Sequence, residues 1–309
     1  MVILNSRATA AVLSPNAVLE KGLEFVNAKV TARCSDDGKK AMFQKLYGSS
    51  PLVLATQWYD LIATDIRDAK LEEKDKSMAG FKRFMIAHNF LWEYHKNAQC
   101  LAARFHMCER LARGEPVWFW VRKIAALKVK KIVWPAGFSR ADGEKLPYTV
   151  DGVDFHIKEK SNETVNVDRK YYSVKFNKAG LKYQIVLSIV EPKCVSFTGP
   201  KKCSIHDTTV WRESGVAEKT GPEKLGIADK GYAGAAKLSA KNPREPKALR
   251  QFKSRALARH ETFNGRLKMF GALSQTYKHD VDKHIFVFEA ICVTVQYQMN
   301  NGSPIFDVY

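Results

Sequence analysis

Residues 148–157 read YTVDGVDFHI, and this stretch determines how the second half of the chain is interpreted. Its apolar residues recur with the spacing of a β-strand, whereas the sequence before it has helical spacing. Gly152 allows another group to approach the backbone of this strand closely. Asp151 and Asp154 are three residues apart. On a regular strand they therefore lie on opposite faces, and only one of them can reach a given site.

Further strands and helices are predicted after this stretch. Strands are expected at residues 171–176, 181–190, 194–198 and 225–228, and helices around residues 258–270 and 285–299. Residues 177–180 are a hairpin-type connection, and Gly199-Pro200 is expected to end the first series of strands. Asp207 is expected to be the N-cap of a short helix. This order predicts an α+β, mixed-sheet domain over residues 147–309.

Residues 1–135 are predicted to form a helical region. Gly48 follows an apolar stripe at helical spacing and is expected to end one helix, and Ser50 and Pro51 are expected to begin the next. Residues 98–105 have the position of the first helix in a helix-turn-helix, but Gly114 and Pro116 interrupt the segment where a recognition helix would follow. The region is interpreted as an aromatic-rich bundle, with a degenerate helix-turn-helix as the alternative.

Composition and spacing argue against several protein classes. The N-terminal sequence has no charged region followed by a long apolar run, so a signal peptide is not expected. No apolar run reaches the ~18 residues of a membrane span, because residues 285–299 include Glu289 and Gln296. The six cysteines form no C-x-x-C pair, which argues against a disulfide scaffold and a zinc finger. We expect reduced cysteines in a nuclear or cytoplasmic protein without a membrane partner.

Positive charge is the strongest feature of the composition. The sequence contains 50 Lys and Arg against 32 Asp and Glu, a formal net charge of +18. Hydrophobic residues make up 45% of the chain, which is enough to build a core and argues against a disordered polycation. A charge excess on a folded chain usually indicates a polyanionic partner, most often nucleic acid. An acidic membrane surface and an acidic protein are the weaker alternatives.

Two acidic residues beyond the first strand are candidates for a site. Asp229 follows the predicted strand at residues 225–228, and open α/β sheets bind ligands at the carboxyl ends of their strands. Glu261 lies in the predicted helix at residues 258–270. A helical wheel places Glu261 with Asn264 and Lys268 on a polar face opposite an apolar stripe. Periodicity alone favours an ordinary solvated face for these three residues.

Basic residues fill the interval between these two acids. Nine Lys or Arg occur between Asp229 and Glu261, against one acid, Glu245. Such a run is usually a solvated loop or face, but between two candidate metal ligands it is the layout expected where a phosphate backbone crosses a site. Mg²⁺ binds a few carboxylate oxygens and keeps other positions for water and phosphate. Two such ions about 4 Å apart can activate a water or a 3′-hydroxyl.

Four short motifs occur in order in the second half of the chain. They are V-D-G-V at 150–153, T-G-P at 198–200 with H-D at 206–207, A-D-K-G-Y-x-G at 228–234, and E-x-x-N-G-R-x-K at 261–268. Each motif is weak alone. Together they resemble the DDE transposase/endonuclease superfamily, specifically the Harbinger/PIF-type and related insertion-sequence transposases. The resemblance extends from about residue 148 to residue 308, roughly half of the chain.

The resemblance implies a fold and a catalytic set. The fold is ribonuclease-H-like, with the first acid on strand one, the second at the end of strand four and the third on a following helix. The implied catalytic residues and metal ligands are Asp151, Asp229 and Glu261, which would bind two Mg²⁺ ions that Mn²⁺ can replace. The implied chemistry is water attack that releases a 3′-hydroxyl, followed by attack of this hydroxyl on target DNA. The His206-Asp207 pair matches a family pair outside this triad.

DNA is the implied partner, as element ends and as a target duplex. Candidate DNA contacts from the basic segment and the last motif are Lys230, Lys247, Arg250, Lys253, Arg266 and Lys268. A homo-oligomer and a separate DNA-binding subunit are further expectations. Two alternatives to the transposase stay open: a catalytically silent DNA-binding protein derived from one, and a nuclease that cuts without joining. The intact acids favour an enzyme over the silent binder.

Overall fold

The computed structural model describes residues 12–29, 34–94, 98–158, 169–173 and 177–308. The chain divides into two compact units. The first comprises Met1–Lys128, Met269–Ala272 and Phe286–Asn301, and the second comprises Val129–Lys268, Leu273–Ile285 and Gly302–Tyr309. Most of the last helix therefore groups with the first unit, which the order of elements in the sequence does not indicate.

Helices dominate the first part of the chain, as predicted. They are α1 (Pro15–Glu24), α2 (Asp36–Tyr47), α3 (Pro51–Ala63), α4 (Met78–Glu93), α5 (Ala98–Arg104), α6 (Glu109–Arg113), α7 (Glu115–Ala126) and α8 (Lys128–Lys131). Gly48 ends α2 in the left-handed conformation, with φ 68°. The Ser50 hydroxyl accepts a hydrogen bond from the Val53 amide at 3.3 Å and so caps α3, which begins at Pro51.

The aromatic stripes of these helices form the interior of the first unit. The ring of Trp58 lies 5.2 Å from Phe81, 5.5 Å from Phe84 and 5.7 Å from Trp120 between centroids. All four side chains are buried. Tilted and edge-to-face arrangements at these distances are favourable for aromatic pairs. The interpretation of the stripes as core is confirmed.

The segment considered for a helix-turn-helix contains three helices. The second, α6, spans five residues, which is short for a recognition helix. Gly114 and Pro116 do not interrupt a helix here, because they mark the start of α7, in which proline occupies one of the first two positions. Proline is well tolerated there, since the first amide groups of a helix have no partner within it.

The second unit contains a mixed sheet. Its strands are β1 (Tyr148–His156), β2 (Tyr172–Ser173), β3 (Lys178–Ser188), β4 (Cys194–Lys202), β5 (Gly226–Ala228) and β6 (Leu238–Ala240). The order is β2-β3-β1-β5-β6, and β4 also pairs with β3. Strands β1, β5 and β6 are parallel, whereas β3 is antiparallel to β1, β2 and β4. The α+β, mixed-sheet architecture predicted for this region is confirmed.

Five α-helices follow β4 in the described part of the chain. They are α9 (Asp207–Glu213), α10 (Val216–Lys219), α11 (Lys247–Lys268), α12 (Gly271–Ser274) and α13 (His284–Asn300). Helix α11 covers one face of the sheet, where Ile227 and Ala256 share a buried cluster. Trp211 of α9 packs on the other face with Val150 and Val186. The sheet of the second unit therefore lies between α11 and α9.

Several predicted boundaries are wrong. β4 does not end at Gly199-Pro200 but continues to Lys202, because its pairing with β3 extends to Leu181 and an edge strand tolerates proline. Residues 178–180 belong to β3 and not to a hairpin connection. The N-cap of α9 is His206, with Asp207 as its first residue. In the strand predicted at residues 171–176, residues 172–173 form β2 and 174–176 lie outside the described residues.

Helix α11 begins eleven residues before the predicted start, at Lys247 instead of residue 258. The basic composition of residues 247–257 obscures their content of good helix formers, Lys, Ala, Leu, Arg and Gln. Among the described residues, no helix has the length and hydropathy needed to cross a membrane. All six cysteines are free thiols.

Candidate active site

Asp151 and Asp229 are neighbours because of the register between two parallel strands. Thr149 of β1 pairs with Ile227 of β5, and each aspartate lies two residues beyond this pair. Asp229 directly follows β5 with an extended backbone (φ −76°, ψ −177°), so the alternation of side chains continues. Neighbouring strands are about 4.8 Å apart, and side chains two residues apart share a face. The strands thus place both carboxylates side by side, on the face that α11 covers.

Two buried polar residues of α11 contact β1 on this face. The His260 Nδ1 lies 2.8 Å from the Thr149 hydroxyl, and the Asn264 Nδ2 donates to Asp151 Oδ2 at 2.9 Å. The Gly152 amide donates to Asp151 Oδ1, also at 2.9 Å. Asn264 is only 4% exposed. The interpretation of a solvated polar face is therefore wrong for Asn264, which orients the first candidate acid.

Glu261 lies on α11 one turn before Asn264, and its side chain is exposed. In the part of the chain that the structure describes, no three His, Cys, Asp or Glu side chains are close enough to hold a metal ion together. The strand register brings Asp151 and Asp229 to the same end of the sheet, but among the described residues Glu261 forms no metal-binding cluster with them. The role of Glu261 stays a prediction.

The donor atoms at this position suit a hard divalent cation. Asp151 and Asp229 supply carboxylate oxygens, and the buried Asn264 Oδ1 has no hydrogen-bond partner among the described residues. Mg²⁺ is commonly bound by one or two carboxylates, with water and substrate phosphates in its other positions. Two carboxylates with further positions for water and phosphate therefore fit the chemistry of Mg²⁺.

Asp154 lies on the opposite face of β1, as strand alternation predicts. Its Oδ2 accepts a hydrogen bond from the Ser173 hydroxyl at 2.8 Å. Asp154 thus shares the strand and the charge of Asp151 without sharing its surroundings. It is a suitable control residue for any test of Asp151 or Asp229.

Asp207 approaches β1 from the α9 side of the sheet. Its Oδ1 forms an ion pair with the Lys182 ammonium at 2.8 Å. A Cβ atom at Gly152 would lie 3.1 Å from the same Oδ1, so the glycine makes this close approach easy. The sequence motifs include Asp207 but give no sign of Lys182. That partner lies on β3 and becomes a neighbour only through strand pairing.

Tyr232 is a buried phenol close to the same strands. Its Oη accepts a hydrogen bond from Gln184 Nε2 at 3.0 Å. Burial, and next the charge of Asp207, raise the pKa of Tyr232, and Asp151 and Asp229 act in the same direction. The phenol therefore stays protonated at neutral pH. Gln184 was not recognised in the sequence, because β3 contains no motif at this position.

The candidate DNA contacts fall into two groups. Lys230, Lys247, Arg250 and Lys268 are exposed, as a phosphate contact requires. Lys253 is different, because its side chain is fully buried. Its ammonium donates to Ser239 Oγ at 2.7 Å and to the Ala240 carbonyl at 3.2 Å, and it pairs with Glu245. The prediction of Lys253 as a DNA contact is corrected: its ammonium is enclosed by protein groups.

Arg266 also has partners within the protein. Its guanidinium donates to the carbonyl oxygens of Ser303 and Pro304, the latter at 2.9 Å. Burial lowers the pKa of Arg266. The side chain therefore fixes the segment after α13 to the end of α11. The role of Arg266 in DNA binding stays a prediction.

Residues 150–296 match a protein-family model described as DDE superfamily endonuclease. Comparison with curated proteins and with solved structures gives no match. The matched region includes Asp151, Asp229 and Glu261. Families of DDE endonucleases generally use divalent metal ions. Over residues 150–296, a little under half of its length, the chain is similar to the DDE superfamily endonucleases, which supports a transposase-like nuclease.

Proposed function

We propose that this protein is a Mg²⁺-dependent DNA endonuclease and strand-transferase of a cut-and-paste transposon, of the Harbinger/PIF type. The observation that supports it most strongly is the side-by-side position of Asp151 and Asp229 within the matched region. The sheet order β2-β3-β1-β5-β6, in which β4 also pairs with β3, supports a ribonuclease-H-like fold for this domain. One acid lies on the first strand and another directly follows β5.

The proposed metal ligands are Asp151, Asp229 and Glu261. Divalent ions bound there would stabilise charge on phosphate oxygens and increase the acidity of an attacking water or hydroxyl. The protein orients two of the ligands in advance, since Asp151 accepts from the amide of Gly152 and Asp229 Oδ1 accepts from the Gly231 amide at 2.8 Å. A carboxylate has about four lone-pair sites, so a hydrogen bond from a backbone amide and a metal ion can share one carboxylate.

The proposed substrate is double-stranded DNA. Exposed Lys230, Lys247, Arg250 and Lys268 lie near the acids in sequence, on the loop after β5 and on α11, and lysine and arginine supply most of the affinity for a phosphate backbone. DNA binding, a homo-oligomer and a separate DNA-binding subunit are parts of the proposal. The activity would take place in the nucleus of a eukaryote or the cytoplasm of a prokaryote.

The test is cleavage of supercoiled plasmid with Mg²⁺, Mn²⁺ or EDTA. Asp229→Asn preserves size but removes a charge that holds the ion. We expect its cleavage to fall by orders of magnitude while its DNA affinity is retained or rises. Asp154→Asn is the matched control, because it makes the same change on the opposite face of β1 and is expected to leave cleavage intact.

Each outcome of this test separates the proposal from its alternatives. If the Asp229→Asn variant cleaves DNA at the same rate as the wild-type protein, the proposed triad is wrong. A wild-type protein that binds DNA but never cuts it under either metal would be the silent binder. Incubation of the protein with a pre-cut duplex that ends in a 3′-hydroxyl then distinguishes a transposase, which joins this end to the plasmid, from a nuclease, which does not.

A further inference from the structure

Asn264 is the residue of α11 that touches a candidate metal ligand. Its Nδ2 donates to Asp151 Oδ2 at 2.9 Å, and the Gly152 amide holds the other oxygen, Oδ1. Both oxygens of the carboxylate are thus fixed, one by the backbone and one by the helix. Asp151 can take only one orientation while both hydrogen bonds are present.

The orientation of the Asn264 amide is determined by this contact. A carboxylate accepts hydrogen bonds and does not donate them, so the NH₂ group must face Asp151. The amide oxygen is then directed away from that bond, and in the described part of the chain it has no hydrogen-bond partner. Buried acceptors are usually paired, so the hydrogen bond to Asp151 is the contact that accounts for the position of this side chain.

We propose that Asn264 is a positioning residue for the metal ligand Asp151, whose carboxylate it holds in one orientation from α11. This inference rests on the proposed function, since it assumes that Asp151 binds a divalent metal. It assigns the main contact between α11 and the site to Asn264, whereas the exposed Glu261 is oriented by no contact that the structure shows among the described residues.

His260 provides a matched control on the same helix. It lies one turn before Asn264, is fully buried, and contacts Thr149 on the same face of β1. It joins the same two elements as Asn264, but its partner is not a candidate ligand. Replacing either residue by leucine removes one buried polar contact between α11 and β1, and only the change at Asn264 releases a carboxylate.

The experiment measures metal binding without catalysis. Thermal unfolding of the full chain is followed during titration with Mn²⁺ in the absence of DNA, for wild type, Asn264→Leu, His260→Leu and Asp151→Asn. A ligand that binds only the folded state raises the melting temperature according to its affinity. Removal of a residue that orients a metal ligand typically lowers metal affinity 10–100-fold. We expect this loss for Asn264→Leu and an unchanged affinity for His260→Leu. Asn264→Ser, which is shorter and polar, is the second variant should the leucine variant not fold.

Three results would overturn the inference. The first is a wild-type Mn²⁺ affinity in the Asn264 variants, and the second is an equal loss in His260→Leu, which would indicate a general effect of packing. The third is a melting temperature of the wild-type protein that does not change with Mn²⁺, which would show that there is no metal site for Asn264 to support. The proposed function can fail separately. If Mn²⁺ binding depends on Asn264 and Asp151 but the protein never cuts DNA, this inference holds and the proposed nuclease activity is wrong.

Discussion

Lys253 is the basic residue whose replacement best separates structural cations from those that face DNA. Its ammonium is fully buried and contacts Ser239, Ala240 and Glu245. Lys253→Met keeps most of the side-chain volume but leaves the Glu245 carboxylate without its cation. Breaking a buried ion pair in this way costs about 3–5 kcal/mol. Since Glu245 is 18% exposed, water screens part of the loss, and we expect about 3 kcal/mol.

This loss should be visible as a lower melting temperature. At roughly 2–4 °C per kcal/mol for units of this size, about 3 kcal/mol corresponds to a decrease of about 6–12 °C. Chemical denaturation gives the free energy of unfolding directly. Adding Glu245→Gln to Lys253→Met should recover much of the stability, because replacing both partners removes the uncompensated charge.

DNA affinity at several salt concentrations completes the measurement. The dependence of affinity on salt reports the number of phosphate contacts, and Lys253→Met at a temperature where it is folded should leave this dependence unchanged. A variant as stable as wild type, with a salt slope reduced by about one, would refute the reasoning. Lys253 would then contact phosphate, and its buried contacts would be of no consequence.

Three further predictions concern the basic surface, the strand register and pH. Lys247→Gln with Arg250→Gln should reduce the salt slope of DNA binding by about 1.8, whereas Lys39→Gln with Lys40→Gln, which removes the same charge from α2, should not. Gly226→Ala should lower the free energy of unfolding by about 1–3 kcal/mol, because the added Cβ would lie 2.1 Å from the Tyr148 ring. Gly265→Ala is the control, since a Cβ there meets open space. Equal stability of the two variants would contradict the β1/β5 register. Burial lowers the pKa of His284 from 6.5 to about 3. As pH falls, this histidine is therefore protonated in the unfolded chain before it is protonated in the folded chain, and stability is lost from about pH 6.5 towards pH 3. In urea titrations across this range, His284→Phe should flatten the curve by up to about 1.4 kcal/mol per pH unit, and an unchanged curve would show that His284 does not contribute.

The sequence predicts those elements whose signals are local. The helix cap at Ser50 and the left-handed end of α2 at Gly48 depend on residues within one turn, and both are confirmed. β1 and β5 are predicted within one residue because apolar runs bounded by turns identify them. The three residues of β6 were not predicted, since such a short strand has no pattern of its own and forms by pairing with β5.

The roles of individual polar residues could not be predicted, because they depend on partners far away in the chain. Lys253 looks like any other cation of the basic run, and only the folded positions of Ser239 and Glu245 reveal that it is buried. Asn264 lies on the polar side of a helical wheel, yet its amide meets Asp151 on a strand more than a hundred residues earlier. Periodicity shows which face of a helix is polar overall. It cannot identify the one polar residue on that face that contacts a neighbouring strand.

The same geometry explains why the sheet fixes two of the three candidate acids more firmly than the helix fixes the third. Asp151 lies within β1, where it is paired with Ile185 of β3, and Asp229 directly follows β5, whose pairing with β1 sets its position. The contacts of His260 with Thr149 and of Asn264 with Asp151 fix the rotation of α11. At about 100° per residue, Glu261 is then displaced roughly 60° from Asn264 and 100° from His260, at the border of the buried face. Rotating the helix to bring Glu261 closer would break both contacts, so the third carboxylate can approach the aspartates only through the conformation of its own side chain.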